Sequence, residues 1–312
     1  VGEFLNWADS AGLDQQDILP PAEATLCNFA ASFAGRLAGA TVKAKISAVK
    51  GWVARRGMQW KGGANLGRVL SGVERRAPAS SFRKERDPVK EDHLRVLHES
   101  LDLSGKCGKD HAIAAAAKAL FAGQMCAGKL LGSSPALSDF NHKAFPAVRD
   151  LLPPNNTGEC ILRLPKTKTA QSRGEKVILV SKAGHTCPNC AFRHHLQVNR
   201  LGSEHPLMAY ENKHNELAIL TKSNFLTRCN DIWSSKGLPR MTGHCFCIGG
   251  TTHLLISGMP PDVVKALGRW KSNAFLKYWR NLDSLASIHL HRHHAQQKYH
   301  NRIQHRNRSA PY

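Results

Sequence analysis

Three short stretches hold most of the side chains able to do covalent or metal chemistry. In GHCFCIGGTTHLL (243–255), His244 is followed by Cys245 and Cys247. In CPNCAFRHH (187–195), Cys187 and Cys190 precede His194 and His195. In RWKSNAFLKYWR (269–280) stands Tyr278, one of 4 tyrosines in the chain. A tyrosine hydroxyl becomes a nucleophile once a histidine takes its proton. Thiolates and imidazoles also ligate zinc, but a zinc finger separates its cysteine and histidine pairs by about 12 residues. Only Ala191, Phe192 and Arg193 separate Cys190 from His194, so neither a metal nor another cofactor is expected. A zinc-stabilised nucleic-acid binder remains the alternative for the cysteines.

Charge names the partner class. The 312 residues carry 44 Lys+Arg against 23 Asp+Glu, a net +21 with a pI near 9.9. A globular chain this basic usually meets a polyanion, and double-stranded DNA is the expected one. The basic residues are spread over the whole chain, which argues against a membrane surface. No run of about 18 apolar residues occurs, so no spanning helix is expected. No cationic segment leads into an apolar run and a cleavage site, so secretion is not expected. The chain begins at Val1, as a piece of a longer protein would. Its 9 cysteines are odd in number and lie within apolar patterns, which suits free thiols in a reducing compartment.

The elements that would position these groups read as mostly helical. Residues 1–75 show helices only. Pro20-Pro21 opens one through AEATLCNFAASFAGRL. A second runs from Thr41, with Val42, Ile46, Val49 and Val53 on one stripe and Lys43, Lys45, Lys50, Arg55 and Arg56 over much of the rest. The stripe suits a core, and those five cations are candidate phosphate contacts. A third covers GRVLSGVERRA. We place a helical domain at 1–80, a linker at 81–88 and a second domain at 89–288. Residues 289–312, with six histidines, form a basic tail. In the second domain DHAIAAAAKALFAGQMCAGKLL is a helix too apolar for the surface. CILRLPKTKT and EKVILV form a hairpin turned by AQSRG, and helices return from Cys187. Thr251 or Thr252 caps a helix that Gly258 stops. Pro260-Pro261-Asp262 starts the next, and Ser272 caps a last one carrying Tyr278.

The motif GHCFCIGGTT, then GMPPDVVKALGRWKSNAFLKYWR, resembles the tyrosine recombinase (integrase) family. Its look is most similar to fungal mobile-element recombinases of the Crypton or DIRS-like sort. That family has a His-x-x-Arg block, a later Leu-Gly-(His or Trp) step, and a nucleophilic tyrosine about nine residues on. Here His244 matches the histidine, ALGRW the Leu-Gly step, and Tyr278 follows Arg269 by nine residues and Trp270 by eight. The resemblance implies a mainly α fold: a helical, SAM-like core-binding domain, then an α-rich catalytic domain with a small antiparallel β-hairpin, closing as a C-shaped clamp on DNA. It implies Tyr278 as nucleophile, His244 as base, Lys168 (or Lys166) on the hairpin as acid, and Arg269 or Trp270 beside the phosphate. It further implies a 3′-phosphotyrosyl intermediate, no cofactor, a synaptic tetramer on DNA and a nuclear location.

The family's two arginines are replaced. Cys247 stands three residues after His244, and Cys126 occupies the first arginine's place in GQMCAGKLLG, with Lys129 where a glutamate belongs. A thiol offers no fixed charge and no bidentate fork. Loss of one preorganised donor to a developing oxyanion costs roughly 10²–10³ in rate, so strand cleavage is expected to be crippled. The alternative is a DNA-binding protein that kept the clamp and lost the chemistry. Arg to Cys and Glu to Lys are each one transition away in the codon, the pattern expected of a mobile-element copy decayed by cytosine deamination.

Overall fold

A computed structural model of the chain describes residues 1–278, apart from 83, 84, 106, 168 and 169. Lys168, the 288 boundary and the 289–312 tail therefore lie outside the described residues. The chain divides into two compact units, Val1–Glu85 and Arg86 onward.

The first unit is helical: α1 (Gly2–Ser10), α2 (Gln15–Ile18), α3 (Glu23–Ala31), α4 (Gly39–Arg55) and α5 (Ala64–Arg75). Val42, Ile46, Val49 and Val53 of α4 are all buried, packed with Leu26, Phe29 and Phe33. α3 stops at Ala31, earlier than its apolar run suggests, and the turn that follows passes through Gly35 in the left-handed region (φ 72°). One carboxylate joins two helices: Glu23 accepts the Gly63 and Leu66 amides at 2.9 and 3.0 Å at the start of α5. The Leu66 amide holds that carboxyl below its ordinary pKa.

The second unit contains α6 (Glu91–Ser100), α7 (Gly108–Ala122), α8 (Pro188–Val198), α9 (Lys222–Ser235), α10 (Cys245–Ile256) and α11 (Pro261–Leu267). β1 (Glu159–Leu164) pairs antiparallel with β2 (Glu175–Val180), from Glu159 opposite Val180 to Leu164 opposite Glu175. Leu162, Leu164, Val177 and Leu179 point into the core while Ile178 and Val180 stay exposed, the alternation of a half-buried hairpin. The fold is mainly α with small antiparallel sheets. Three details differ from the sequence reading. The hairpin loop is longer than AQSRG, since β1 ends before Pro165, which has no N–H for the ladder. A second sheet, β3 (Ala209–Glu211) with β4 (Leu217–Ile219), falls where helices alone were expected; strands of three residues are too short to show a period of two. The segment Asn273–Tyr278 is a 3₁₀ helix, with Ser272 Oγ accepting the Ala274 amide at 3.3 Å.

α7 is the buried axis of this unit: every residue from Ala112 to Ala117 is nearly inaccessible. α10 packs on it, and here the capping expectation fails. The helix begins at Cys245 with His244 as its N-cap, so Thr251 and Thr252 lie inside it. The glycine pair before them serves contact, not termination. A Cβ on Gly249 would sit 2.0 Å from Val89 O, and one on Gly250 1.9 Å from Phe121 O. Backbone meets backbone at both positions, which only a residue without a side chain permits. We expect Gly250→Ala to destabilise the chain by roughly 1–3 kcal/mol through overpacking. Gly67→Ala, which meets nothing within 4 Å in α5, is expected to stabilise by about 0.4–1 kcal/mol. Urea midpoints at unchanged m-value check both.

Candidate active site

The site is assembled from two loops and the amino end of α10. Asn230, buried in α9, braces the approach: its amide donates to Met241 O at 3.0 Å and its oxygen accepts the Met241 N–H at 2.7 Å. Gly243 follows, so near Ala127 that a Cβ would lie 2.7 Å from the alanine's own. The Ala127 amide donates to Gly243 O at 3.4 Å. These contacts set the Cys126 turn beside His244 although 118 residues separate them.

Around His244 the candidate groups converge. Its Nε2 lies 2.7 Å from the Tyr278 hydroxyl and its Nδ1 3.4 Å from Cys126 Sγ. Cys247 belongs to the same group: its thiol, that of Cys126 and a His244 ring nitrogen all lie within 4.8 Å of one another. Tyr278 is 3 % exposed and rests on Ile248 and Phe275. Thr252 Oγ1 donates to its carbonyl at 3.3 Å, so α10 positions both the histidine and the tyrosine. The Trp270 ring lies 5.6 Å from that of Tyr278. Its Nε1 is buried with no hydrogen-bond partner among the described residues, a donor whose desolvation they leave uncompensated.

Arg269 is directed elsewhere. Its guanidinium donates to the carbonyls of Leu267 (2.8 Å) and Gly123 (2.9 Å), with Gln124 O at 3.4 Å and Glu175 at 3.8 Å. Its backbone lies in the left-handed region, φ 57°, which costs a non-glycine residue roughly 1–2 kcal/mol. Burial pushes its pKa down, and the Glu175 carboxylate opposes that shift. These donors staple the turn after α7 to the end of α11. Lys166 is exposed in the hairpin loop, where its carbonyl accepts from Lys129 Nζ at 3.5 Å.

Of the five candidate phosphate contacts, Lys43, Lys45, Lys50 and Arg55 lie on α4 and Arg56 is its C-cap. Lys43, Lys50, Arg55 and Arg56 are exposed, and Lys45 is half-buried. Lys43 pairs with Glu74 at 2.7 Å and Lys45 with Glu3. Lys50 lies over Trp60 and Arg56 over Trp52. Sequence reasoning offers Thr252 only as a helix cap and does not single out Asn230, Gly243 or Gln124. The last accepts from Thr251 Oγ1 at 2.8 Å, and no motif marks a residue that acts through backbone contacts.

The CPNCAFRHH cluster is structural. Cys187 caps α8, its sulfur accepting the Cys190 amide at 3.3 Å. His195 is fully buried, with Nε2 donating to Leu207 O at 2.9 Å and Nδ1 accepting from Asn199 at 2.9 Å. Both ring nitrogens are engaged, leaving none for a metal. Cys245 also turns away, its sulfur 3.3 Å from the Thr242 amide.

No family model matches the chain, and no curated protein matches it in sequence. Solved structures do resemble it. One is the XerH site-specific recombinase bound to its palindromic difH substrate in a post-cleavage complex, at 15% identity and TM-score 0.45 over 90% of this chain and 71% of that one. The Tn1549 transposon integrase in complex with circular intermediate DNA gives 14% identity and TM-score 0.48 over 84% and 81%. The XerA recombinase gives 12% and 0.42 over 93% and 89%. These structures are tyrosine recombinases and integrases. At such identities and TM-scores the likeness carries nothing about chemistry, which rests on the side chains.

His195 gives a pH test of this packing. Burial lowers its pKa to about 4, against about 6.5 when unfolded. The folded value lies below the unfolded one, so falling pH protonates the unfolded chain first. The stability this contributes is whole above about pH 6.5 and is lost between there and about pH 4, on the order of 3 kcal/mol. Denaturation midpoints measured across that window are expected to fall, and His195→Gln should flatten the decline.

Proposed function

We propose that this chain is a DNA-binding protein of tyrosine-recombinase type, acting on duplex DNA in the nucleus, with Tyr278 as nucleophile and strand cleavage impaired in this copy. One observation carries the reading: the Tyr278 hydroxyl is 2.7 Å from His244 Nε2, with Cys126 and Cys247 gathered at the same histidine. Residues that the motif assigns to one site, from three separate stretches of chain, lie together.

The reaction that the constellation is built for is a transesterification. The Tyr278 oxygen bonds to a DNA phosphorus while the P–O5′ bond breaks. The tyrosine proton passes to His244, and Lys168 gives a proton to the leaving 5′-oxygen. Negative charge grows on the non-bridging oxygens. Two guanidinium forks would meet it there, and two thiols do not. Arg269 cannot take over while its donors hold three carbonyls; it is a positioning residue. The Trp270 ring lies 5.6 Å from that of the tyrosine and packs it in place. Assembly into a tetramer on DNA follows from the same reading.

The second reading, a binding protein without strand cleavage, is favoured by the two missing cations. Covalent capture on nicked duplexes from the DNA flanking the gene separates the two. We expect no denaturation-resistant adduct with the chain as it stands, an adduct with Cys126→Arg/Cys247→Arg, and none once Tyr278→Phe is added. With roughly 10²–10³ lost per donor, an adduct forming equally fast on the unaltered chain would overturn the impairment. No adduct in a folded double variant would overturn the nucleophile. Binding itself should persist in every variant and weaken steeply with salt. Lys50→Ala/Arg55→Ala/Arg56→Ala is expected to reduce the slope of log K against log salt by about 0.9 per phosphate contact removed.

A further inference from the structure

The replacement of two guanidinium positions by thiols does more than remove charge, because the third corner of the cluster is an imidazole. Cys126 Sγ stands 3.4 Å from His244 Nδ1, and the Cys247 sulfur lies within 4.8 Å of both partners' ligand atoms. In a tetrahedral zinc site, bonds of about 2.3 Å to sulfur and about 2.0–2.1 Å to nitrogen place neighbouring ligand atoms about 3.6–3.8 Å apart. Adjustments of an ångström or less would close the ring around an ion.

We propose that Cys126, Cys247 and His244 Nδ1 form a binding site for a thiophilic metal ion, zinc foremost. The donor set selects zinc or copper(I) over magnesium and calcium. The histidine is already oriented for it. Ligating imidazoles usually have their other nitrogen engaged by an outer partner, and here Nε2 is 2.7 Å from the Tyr278 hydroxyl. Two of the ligands are fixed by one helix end, His244 as the N-cap of α10 and Cys247 in its first turn. The third comes from a turn tied to that end through Ala127 and Gly243. Cys126 is exposed, which gives an ion its entry path. Two thiolates and an imidazole leave the fourth position to water, the ligand count of an open zinc site.

Binding releases two thiol protons to solvent. Zinc with two thiolates has no net charge, so the ion does not restore the field of two arginines. It also fixes His244 with its proton on Nε2, facing Tyr278, where the ring can donate but no longer take the tyrosine's proton. The site stands on this geometry whether or not Tyr278 attacks DNA.

The test titrates the reduced full-length chain with cobalt(II), then displaces it with zinc. A thiolate-to-cobalt charge-transfer band saturating at one equivalent is expected; the histidines of 289–312 give no such band. Cys126→Ser, at an exposed position, should abolish it, and Cys247→Ser likewise. Cys187→Ser/Cys190→Ser should retain it. Tyr278→Phe should keep the band and weaken zinc about 10–100-fold, the usual cost of removing an outer partner. No band on the unaltered chain, a band that survives Cys126→Ser, or one lost only with Cys187 and Cys190 each overturns the proposal. So does a mass loss of two hydrogens with no metal retained, which would make the thiols a disulfide pair.

Discussion

The site depends on a contact between main chains. At Gly249 and Gly250, α10 lies against the carbonyls of Val89 and Phe121 with no side chain between them. The Val89 amide in turn donates to Cys245 O at 3.0 Å. This fixes α10 relative to α7 more tightly than apolar side chains would, since those can change rotamer and backbone cannot. Everything chemical is referred to that helix: His244 at its cap, Cys247 one turn in, and Thr252 holding the Tyr278 carbonyl. Displace the helix and the 2.7 Å contact between histidine and tyrosine goes with it.

The same arrangement accommodates cysteine at 126 and 247, the two positions that the proposed function assigns to arginine. Cys247 is almost inaccessible, and a small apolar thiol is at ease in such surroundings. Cys126 lies at the surface, where little packing depends on its size. Arg269 serves the structure: with three carbonyls as acceptors and Glu175 nearby, it ties the turn after α7 to the end of α11. Arg269 is thus an architectural cation, distinct from the two positions where the proposed function would need catalytic ones.

Periodicity and punctuation make α3, α4 and α5 legible, though not α1 or α2: the Val42, Ile46, Val49, Val53 stripe is the buried face of α4. The hairpin was legible from its β-branched alternation. The three-residue strands were not, since no pattern develops over that length. Thr251 and Thr252 misled because a Gly-Gly-Thr-Thr run has the composition of a helix start, whereas the glycines answer a close approach that only coordinates reveal. For the site, spacing placed Tyr278, His244 and Cys247 on neighbouring elements. It did not show that Cys126 would meet His244 through the Gly243 turn, nor that Arg269 would spend its donors on carbonyls. Local spacing marks Cys187 and Cys190 as the metal-ligand candidates. The grouping that the structure makes joins Cys126 to His244 and Cys247 across more than a hundred residues.

Affinity for a polyanion and cleavage of it draw on different residues. Phosphate attraction sums over many cations, and each surplus positive charge contributes a similar share. Two further cations, at positions 126 and 247, would add only a small fraction to a net of +21. Some α4 cations already have neighbours, as in the Lys43–Glu74 pair, but exposed pairs contribute little and give way readily to phosphate. Transition-state stabilisation does not sum in this way, because it needs donors at fixed points around one phosphorus. On the proposed function, cysteine at positions 126 and 247 therefore bears on cleavage far more than on attraction to DNA. On the proposed function the chain holds duplex DNA beside a tyrosine and histidine already in contact, with thiols where the reaction would need charge.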